Sequence, residues 1–77
     1  MANVTIYSTP TCGWCQRTKE YFKENSVEYT EKDVSTGTAA REEMLHKTRQ
    51  MGVPVIDIDG EITVGFDQPR LAQLLGL

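Results

Sequence analysis

The apolar positions change period along the chain, and each change marks a new element. Val4-Thr5-Ile6-Tyr7 is a short β-branched and aromatic run, and Pro10 bars its continuation as an inner strand. From Gly13 the period becomes helical. Trp14, Thr18, Tyr21 and Phe22 fall on one face, with Gln16, Arg17, Glu20, Lys23 and Glu24 around it. Asn25 is a residue that tolerates a left-handed C-terminal conformation, so this helix is expected over residues 13–24. Residues 27–34 are more polar but carry Val27, Tyr29 and Val34, and are read as a second strand.

Ser35-Thr36-Gly37-Thr38 offers N-caps for a second helix, with Glu42 and Glu43 in its early turns. Its inner stripe is Ala40, Met44, Lys47/Thr48 and Met51, with the stem of Lys47 at the rim and Gly52 as the stop. Pro54-Val55-Ile56-Asp57-Ile58 reads as a strand, Asp59-Gly60 as a two-residue hairpin turn, and Glu61-Ile62-Thr63-Val64 as the return strand. Asp67 caps a last helix with Pro69 in its first turn and Leu71, Leu74 and Leu75 facing inward. The order β-α-β-α-β-β-α predicts an α/β domain over residues 1–77. Its sheet would be mixed and four-stranded, a parallel β-α-β pair joined to an antiparallel hairpin. Val4, Ile6, Phe22, Met44, Val55, Ile58, Ile62, Leu71 and Leu74 form the expected core, a thin set for a stability of a few kcal/mol.

Composition narrows the function. Eight Lys+Arg against eleven Asp+Glu in 77 residues give a net charge of −3, which argues against a nucleic-acid binder. No apolar run reaches the ~18 residues of a membrane span, and the opening Met1-Ala2-Asn3-Val4 lacks the basic-then-apolar layout of a signal peptide. The expected address is the cytoplasm, where structural disulfides are rare. Yet the chain has two cysteines, Cys12 and Cys15, spaced as C-x-x-C. A bridge over so short a loop stabilises little. Their chemistry is therefore the question.

A C-x-x-C that follows a strand and opens a helix is a specific arrangement. Unpaired N–H groups and the partial positive charge of a helix N-terminus favour an anion, and the thiolate is the form that attacks a disulfide. Cys12 is placed as the nucleophile. Cys15, one turn deeper, is placed to displace the substrate from a mixed disulfide. Gly13 leaves room for a partner and Trp14 adds an apolar surface beside it. Zinc would need four ligands, and His46 on another helix is the one other soft ligand, so no metal site is expected. An iron–sulfur cluster shared between two chains, and two incidental cysteines, are the remaining readings.

Thr9-Pro10-Thr11-Cys12-Gly13-Trp14-Cys15, then Gly52-Val53-Pro54-Val55, then Val64-Gly65-Phe66-Asp67, resembles the glutaredoxin-like small redoxins in order and spacing across essentially the whole chain. The resemblance implies a minimal thioredoxin fold with a cis Val53-Pro54 peptide facing the cysteines. Such a bond exposes the Val53 backbone to pair with a cysteinyl substrate as a short added strand. It also implies dithiol–disulfide exchange with no required cofactor, carried out by a monomer. The substrates would be disulfide-bearing proteins, ribonucleotide reductase among them. Gly13, Trp14, Val53, Pro54, Gly65, Phe66 and Asp67 would form the substrate site. Two electron sources are implied, glutathione or a thioredoxin-reductase-type flavoenzyme. Glutaredoxins commonly have Cys-Pro-Tyr-Cys, a Lys three residues before the first Cys and two adjacent Asp. Here Gly13-Trp14, Thr9 and Asp67-Gln68 stand at those places, which favours the flavoenzyme. The alternative function is an iron–sulfur carrier in which Cys12 and glutathione hold a cluster across a dimer. Tyr7 is read either as packing or as a border of the site, Phe66 as a packing plug or a substrate contact, His46 as a solvated helix residue, and Lys19 and Lys23 as the solvated face of the first helix or as charges that raise the potential near Cys12.

Overall fold

The computed structural model describes residues 3–77. Met1 and Ala2, part of the stretch read for a signal peptide, lie outside the described residues. The elements follow the expected order: β1 (Val4–Ser8), α1 (Gly13–Glu24), β2 (Thr30–Asp33), α2 (Thr38–Thr48), β3 (Val55–Ile58), β4 (Glu61–Val64) and α3 (Gln68–Leu75). They form one sheet in the order β2-β1-β3-β4. β1 is parallel to β2 and antiparallel to β3, and β3 is antiparallel to β4.

The two central strands are buried on both faces, which is why their side chains show little alternation. On one face Val4, Ile6, Ile56 and Ile58 pack under Tyr21 and Phe22 of α1 and Leu71 of α3. On the other, Tyr7, Val55 and Val34 pack under Met44 of α2. Ile56, Tyr7, Tyr21, Val34 and Cys15 therefore join the core, while Ile62 and Leu74 reach it only partly buried. The hairpin turns on Asp59 (φ 52°) and Gly60 (φ 91°), the two positive φ values that a type I′ turn requires.

Several expectations are corrected. β2 is half the expected length, because Thr30-Glu31-Lys32-Asp33 is a charged edge strand that pairs only with β1 over four residues. Val27 packs against the core from the loop before it. At the end of α1 it is Ser26, with φ 56°, that turns left-handed, whereas Asn25 has φ −106°. α2 is capped by Gly37 without a side-chain hydrogen bond, and it stops at Thr48, where Arg49 turns left-handed at φ 56°. Gln50 then folds back, its side chain accepting the Gly52 N–H at 2.6 Å. Met51 is thereby off the helix and 53% exposed, not on the inner stripe. Trp14, which spacing alone groups with the inner face of α1, lies open as the apolar surface expected beside Cys12. Cys15, Thr18, Tyr21 and Phe22 hold that face, and Trp14 is 64% exposed.

Candidate active site

The site is built by the turn that leaves β1. The Cys12 N–H donates to the Thr9 carbonyl at 3.3 Å, closing a four-residue turn with Pro10 at the position that its fixed φ suits. Cys12 emerges as the N-cap of α1, with extended backbone at φ −84° and ψ 113°. Its sulfur takes the role a Ser or Asp oxygen usually has, accepting the Cys15 N–H at 3.1 Å. An amide of the first helical turn is thus aimed at the sulfur, at the positive end of the helix.

The two thiols are unbridged and unequal. Cys12 is half-buried, while Cys15 has no exposed surface. Burial pushes the Cys15 thiol up to about 12, helped by its hydrogen bond with Cys12 and opposed by a backbone hydrogen bond from Thr9.

Across from α1, the Val53-Pro54 peptide is cis, as the resemblance implies. The Val53 carbonyl lies 3.9 Å from Cys12 Sγ, and Pro54 is buried behind it. Gly65 closes the same wall, its N–H donating to the Pro54 carbonyl at 2.7 Å with φ 84°. A Cβ at Gly13 or Gly65 would meet nothing within 4 Å, so both glycines border open space. Val53, 41 positions away in sequence, thus meets Cys12 through the β1–β3 pairing, and the β3–β4 pairing adds Gly65 behind Pro54.

Trp14 and Phe66 form an aromatic shelf, stacked at 6.1 Å with an interplanar angle of 29°. Phe66 also meets Tyr21 edge-on at 5.8 Å, and the Arg17 guanidinium lies 5.6 Å from its ring centroid. Phe66 is half-buried against the core on one side and open on the other, so packing and contact are not exclusive. Asp67 is exposed and already engaged as the α3 cap, accepting the Arg70 N–H at 3.3 Å.

The surroundings of the pair decide which family this is. The glutaredoxin family model matches residues 4–63, the stretch from β1 into β4 that carries both cysteines and the cis-proline wall. The chain belongs to the glutaredoxin family. It is a thiol-disulfide oxidoreductase of that type, and its sheet and three helices are the thioredoxin-like fold. An uncharacterized glutaredoxin-like 8.6 kDa protein in the rubredoxin operon of Clostridium pasteurianum is 46% identical over 72 residues, 94% of this chain and 96% of that one. Glutaredoxin 3 of Escherichia coli K12 is 37% identical over 67 residues, 87% of this chain and 81% of that one. The solved thioredoxin-like protein BC3987 superposes at a TM-score of 0.88 with 38% identity, covering 94% of this glutaredoxin and 99% of that chain.

Two side chains beyond the motifs, Lys19 and Tyr7, are held by partners on neighbouring elements of this glutaredoxin. Lys19 is not a solvated residue. Its ammonium contacts Glu31 Oε2 at 2.7 Å, and its side chain is 14% exposed. Helical spacing, four residues after Cys15, was the available signal. Tyr7 is fully buried, donating to Glu43 and accepting from Lys47 at 2.9 Å, so it ties β1 to α2 and does not border the cysteines. His46 is exposed on α2, on the other side of the sheet from α1. Among the described residues, no group of three or more His, Cys, Asp or Glu could hold a metal ion, and no helix is long and apolar enough to cross a membrane.

Proposed function

We propose that the protein reduces protein disulfides by dithiol exchange, with Cys12 as nucleophile and Cys15 as resolving thiol. The observation that carries this is the inequality of the pair: one sulfur half-exposed at a helix N-terminus with an amide at 3.1 Å, the other fully buried one turn below it. Cys12 thiolate attacks a substrate sulfur, the substrate S–S bond breaks, and a mixed disulfide forms. Cys15 then loses its proton and attacks Cys12 Sγ. The Cys12–Cys15 bond forms, and the substrate leaves as a thiolate that takes up a proton.

The substrate contacts follow from the surface around Cys12. A cysteinyl peptide lying along Val53 would pair with its backbone, flanked by Gly13 and Gly65 and covered by the Trp14–Phe66 shelf, with Asp67 at the rim. That surface is open and partly aromatic, whereas a cleft of about 330 Å³ lies elsewhere, lined by Val4, Asn25, Val27, Leu75 and Leu77. An open apolar shelf suits a macromolecular partner better than a small solute. For the electron source, the charge set for glutathione is thin. Thr9 and Gln68 are neutral, and Asp67 is occupied as a cap. Losing a charge-assisted contact costs ~1.5–3 kcal/mol, roughly ten- to a hundredfold in affinity. A thioredoxin-reductase-type flavoenzyme of the cytoplasm is therefore the donor in this reading.

The test uses Cys15→Ser and the two donors. Cys15→Ser incubated with a disulfide substrate should stop at a covalent adduct on Cys12, seen by mass spectrometry. An adduct on Cys15 in Cys12→Ser would reverse the roles. Oxidised wild-type protein should be reduced faster by the flavoenzyme with its nicotinamide than by glutathione, and fast saturable reduction by glutathione alone would overturn the donor assignment. A visible absorbance after anaerobic purification would instead favour the cluster carrier.

A further inference from the structure

The resolving step has a physical problem that the C-x-x-C motif does not solve. Cys15 has no exposed surface, yet it must become an anion to attack Cys12 Sγ. Burying that anion without a compensating charge makes the step slow.

One cation is held on the right face. Lys19 lies four residues after Cys15 on α1, one turn along the same side of the helix. Its amine does not run out to water. Glu31 Oε2, on the neighbouring edge strand, holds it at 2.7 Å, and the same carboxylate oxygen accepts the Ser8 hydroxyl at 2.8 Å. Ser8 is 1% exposed at the end of β1, immediately before the turn that delivers Cys12. The Ser8–Glu31–Lys19 chain thus joins β1, β2 and α1, one helical turn from Cys15 along α1. The charges bearing on Cys15 are those of Cys12 and Lys19 on α1. Those bearing on Lys19 include Glu31, Tyr29 and Cys15, and Asp33 bears on Glu31.

We infer that Lys19, pinned by Glu31 and Ser8, is a positioning residue whose ammonium stabilises the Cys15 thiolate during resolution of the mixed disulfide. The inference rests on the reading of Cys15 as the resolving thiol. Lys19 acts by its field and transfers no proton. Its hydrogen bond to Glu31 keeps it protonated, and the same bond holds the Glu31 carboxyl below its usual range, which makes Glu31 a poor proton acceptor. The proton lost from Cys15 is matched by the one the departing substrate thiolate takes up, and Lys19 and Glu31 end the step unchanged.

The two partners have opposite charge, so their removal has opposite consequences for Cys15. Reduced protein mixed with excess Ellman's reagent releases thionitrobenzoate twice. The first release is bimolecular, from attack by Cys12. The second is independent of reagent concentration, from attack by Cys15. Each unit by which the Cys15 thiol becomes harder to ionise lowers the thiolate tenfold and raises its nucleophilicity by less, a net slowing of roughly threefold. Lys19→Met is expected to slow the second phase by about that factor relative to the first, and Lys19→Arg to restore it. Glu31→Gln keeps the hydrogen bonds and removes the opposing charge, so it is expected to accelerate the second phase. Thermal melts on each variant report folding, and if Lys19→Met does not fold, Glu31→Gln decides alone. A second phase that slows in both variants, or moves in neither, overturns the inference. Loss of the second release in wild-type protein would overturn the reading of Cys15 itself.

Discussion

Replacing Cys12 with Ser leaves Cys15 as the one thiol in the chain, and its reactivity measures how far the fold silences it. In the dithiol, burial is the largest cause that pushes Cys15 up to about 12. Burial survives the substitution, although the hydrogen bond and charge of Cys12 do not. At pH 7 a thiol with that value is ~10⁻⁵ ionised, against ~3% for a free cysteine near 8.5, a deficit of roughly 3.5 orders of magnitude. The more basic thiolate is the better nucleophile, and a Brønsted slope of ~0.4–0.5 returns about 1.5 of those orders. The expected alkylation rate of Cys15 is therefore lowered by up to ~100-fold relative to a free thiol, less the share that Cys12 itself contributes, before steric exclusion by a site with no exposed surface is added. Intact-mass time courses with iodoacetamide, on Cys12→Ser in buffer and in guanidinium, give both rates on one sample. Reaction within tenfold of a free thiol in buffer, or no gain on unfolding, would refute the burial argument.

Two further outcomes test the scaffold. The Lys32 hydrogen bond first, and the Tyr7 hydroxyl second, hold the Glu43 carboxyl down to about 2. A folded value below the unfolded one means stability that is present above about 4.5 and lost as pH falls toward 2. With the side chain 39% exposed to screening solvent, about 1 kcal/mol should be lost across that window, and Glu43→Gln should flatten it in denaturant titrations at pH 6 and 2.5. An unchanged acid slope in that variant would refute the assignment. Asp67→Ala should cost about 1 kcal/mol and lower the melting midpoint by ~4–8 °C, because the α3 cap bond to Arg70 is lost. Asp67→Asn should keep most of that stability, and an unmoved midpoint in Asp67→Ala would show that the cap does not hold α3.

What could be read from the sequence was what is settled locally. The start of α1 at Gly13, the Asp59-Gly60 hairpin and the Asp67 cap each depend on residues within a turn of one another, and the structure has all three. The end of α2 does not. Met51 continues the helical stripe by spacing, but the chain must reverse to bring Val53 to Cys12, and the Gln50 side chain and left-handed Arg49 make that reversal. Ile56 belongs to the core beside Ile58, on the face of β3 opposite Val55. Alternation assigns one face of a strand, and β3 is covered on both.

The site divides along the same line. Cys12 and Cys15 were placed correctly relative to each other because a helix start fixes their offset, one sulfur at the cap and one a turn inside. What surrounds them comes from pairing of β1 with β2 and β3, which no local pattern encodes. Ser8 opposes Asp33 in the parallel register, one residue beyond the Ile6↔Glu31 and Tyr7↔Lys32 pairs, and this brings a polar residue of one strand beside the charges of the other. A lysine four residues after Cys15, on the same side of α1, then finds a carboxylate on an edge strand, and its ammonium is held there at 2.7 Å. The polar stretch read as a second strand thus supplies Glu31 from its four paired residues. A polar edge is weak evidence of a strand but a means of carrying charge to the base of a buried thiol.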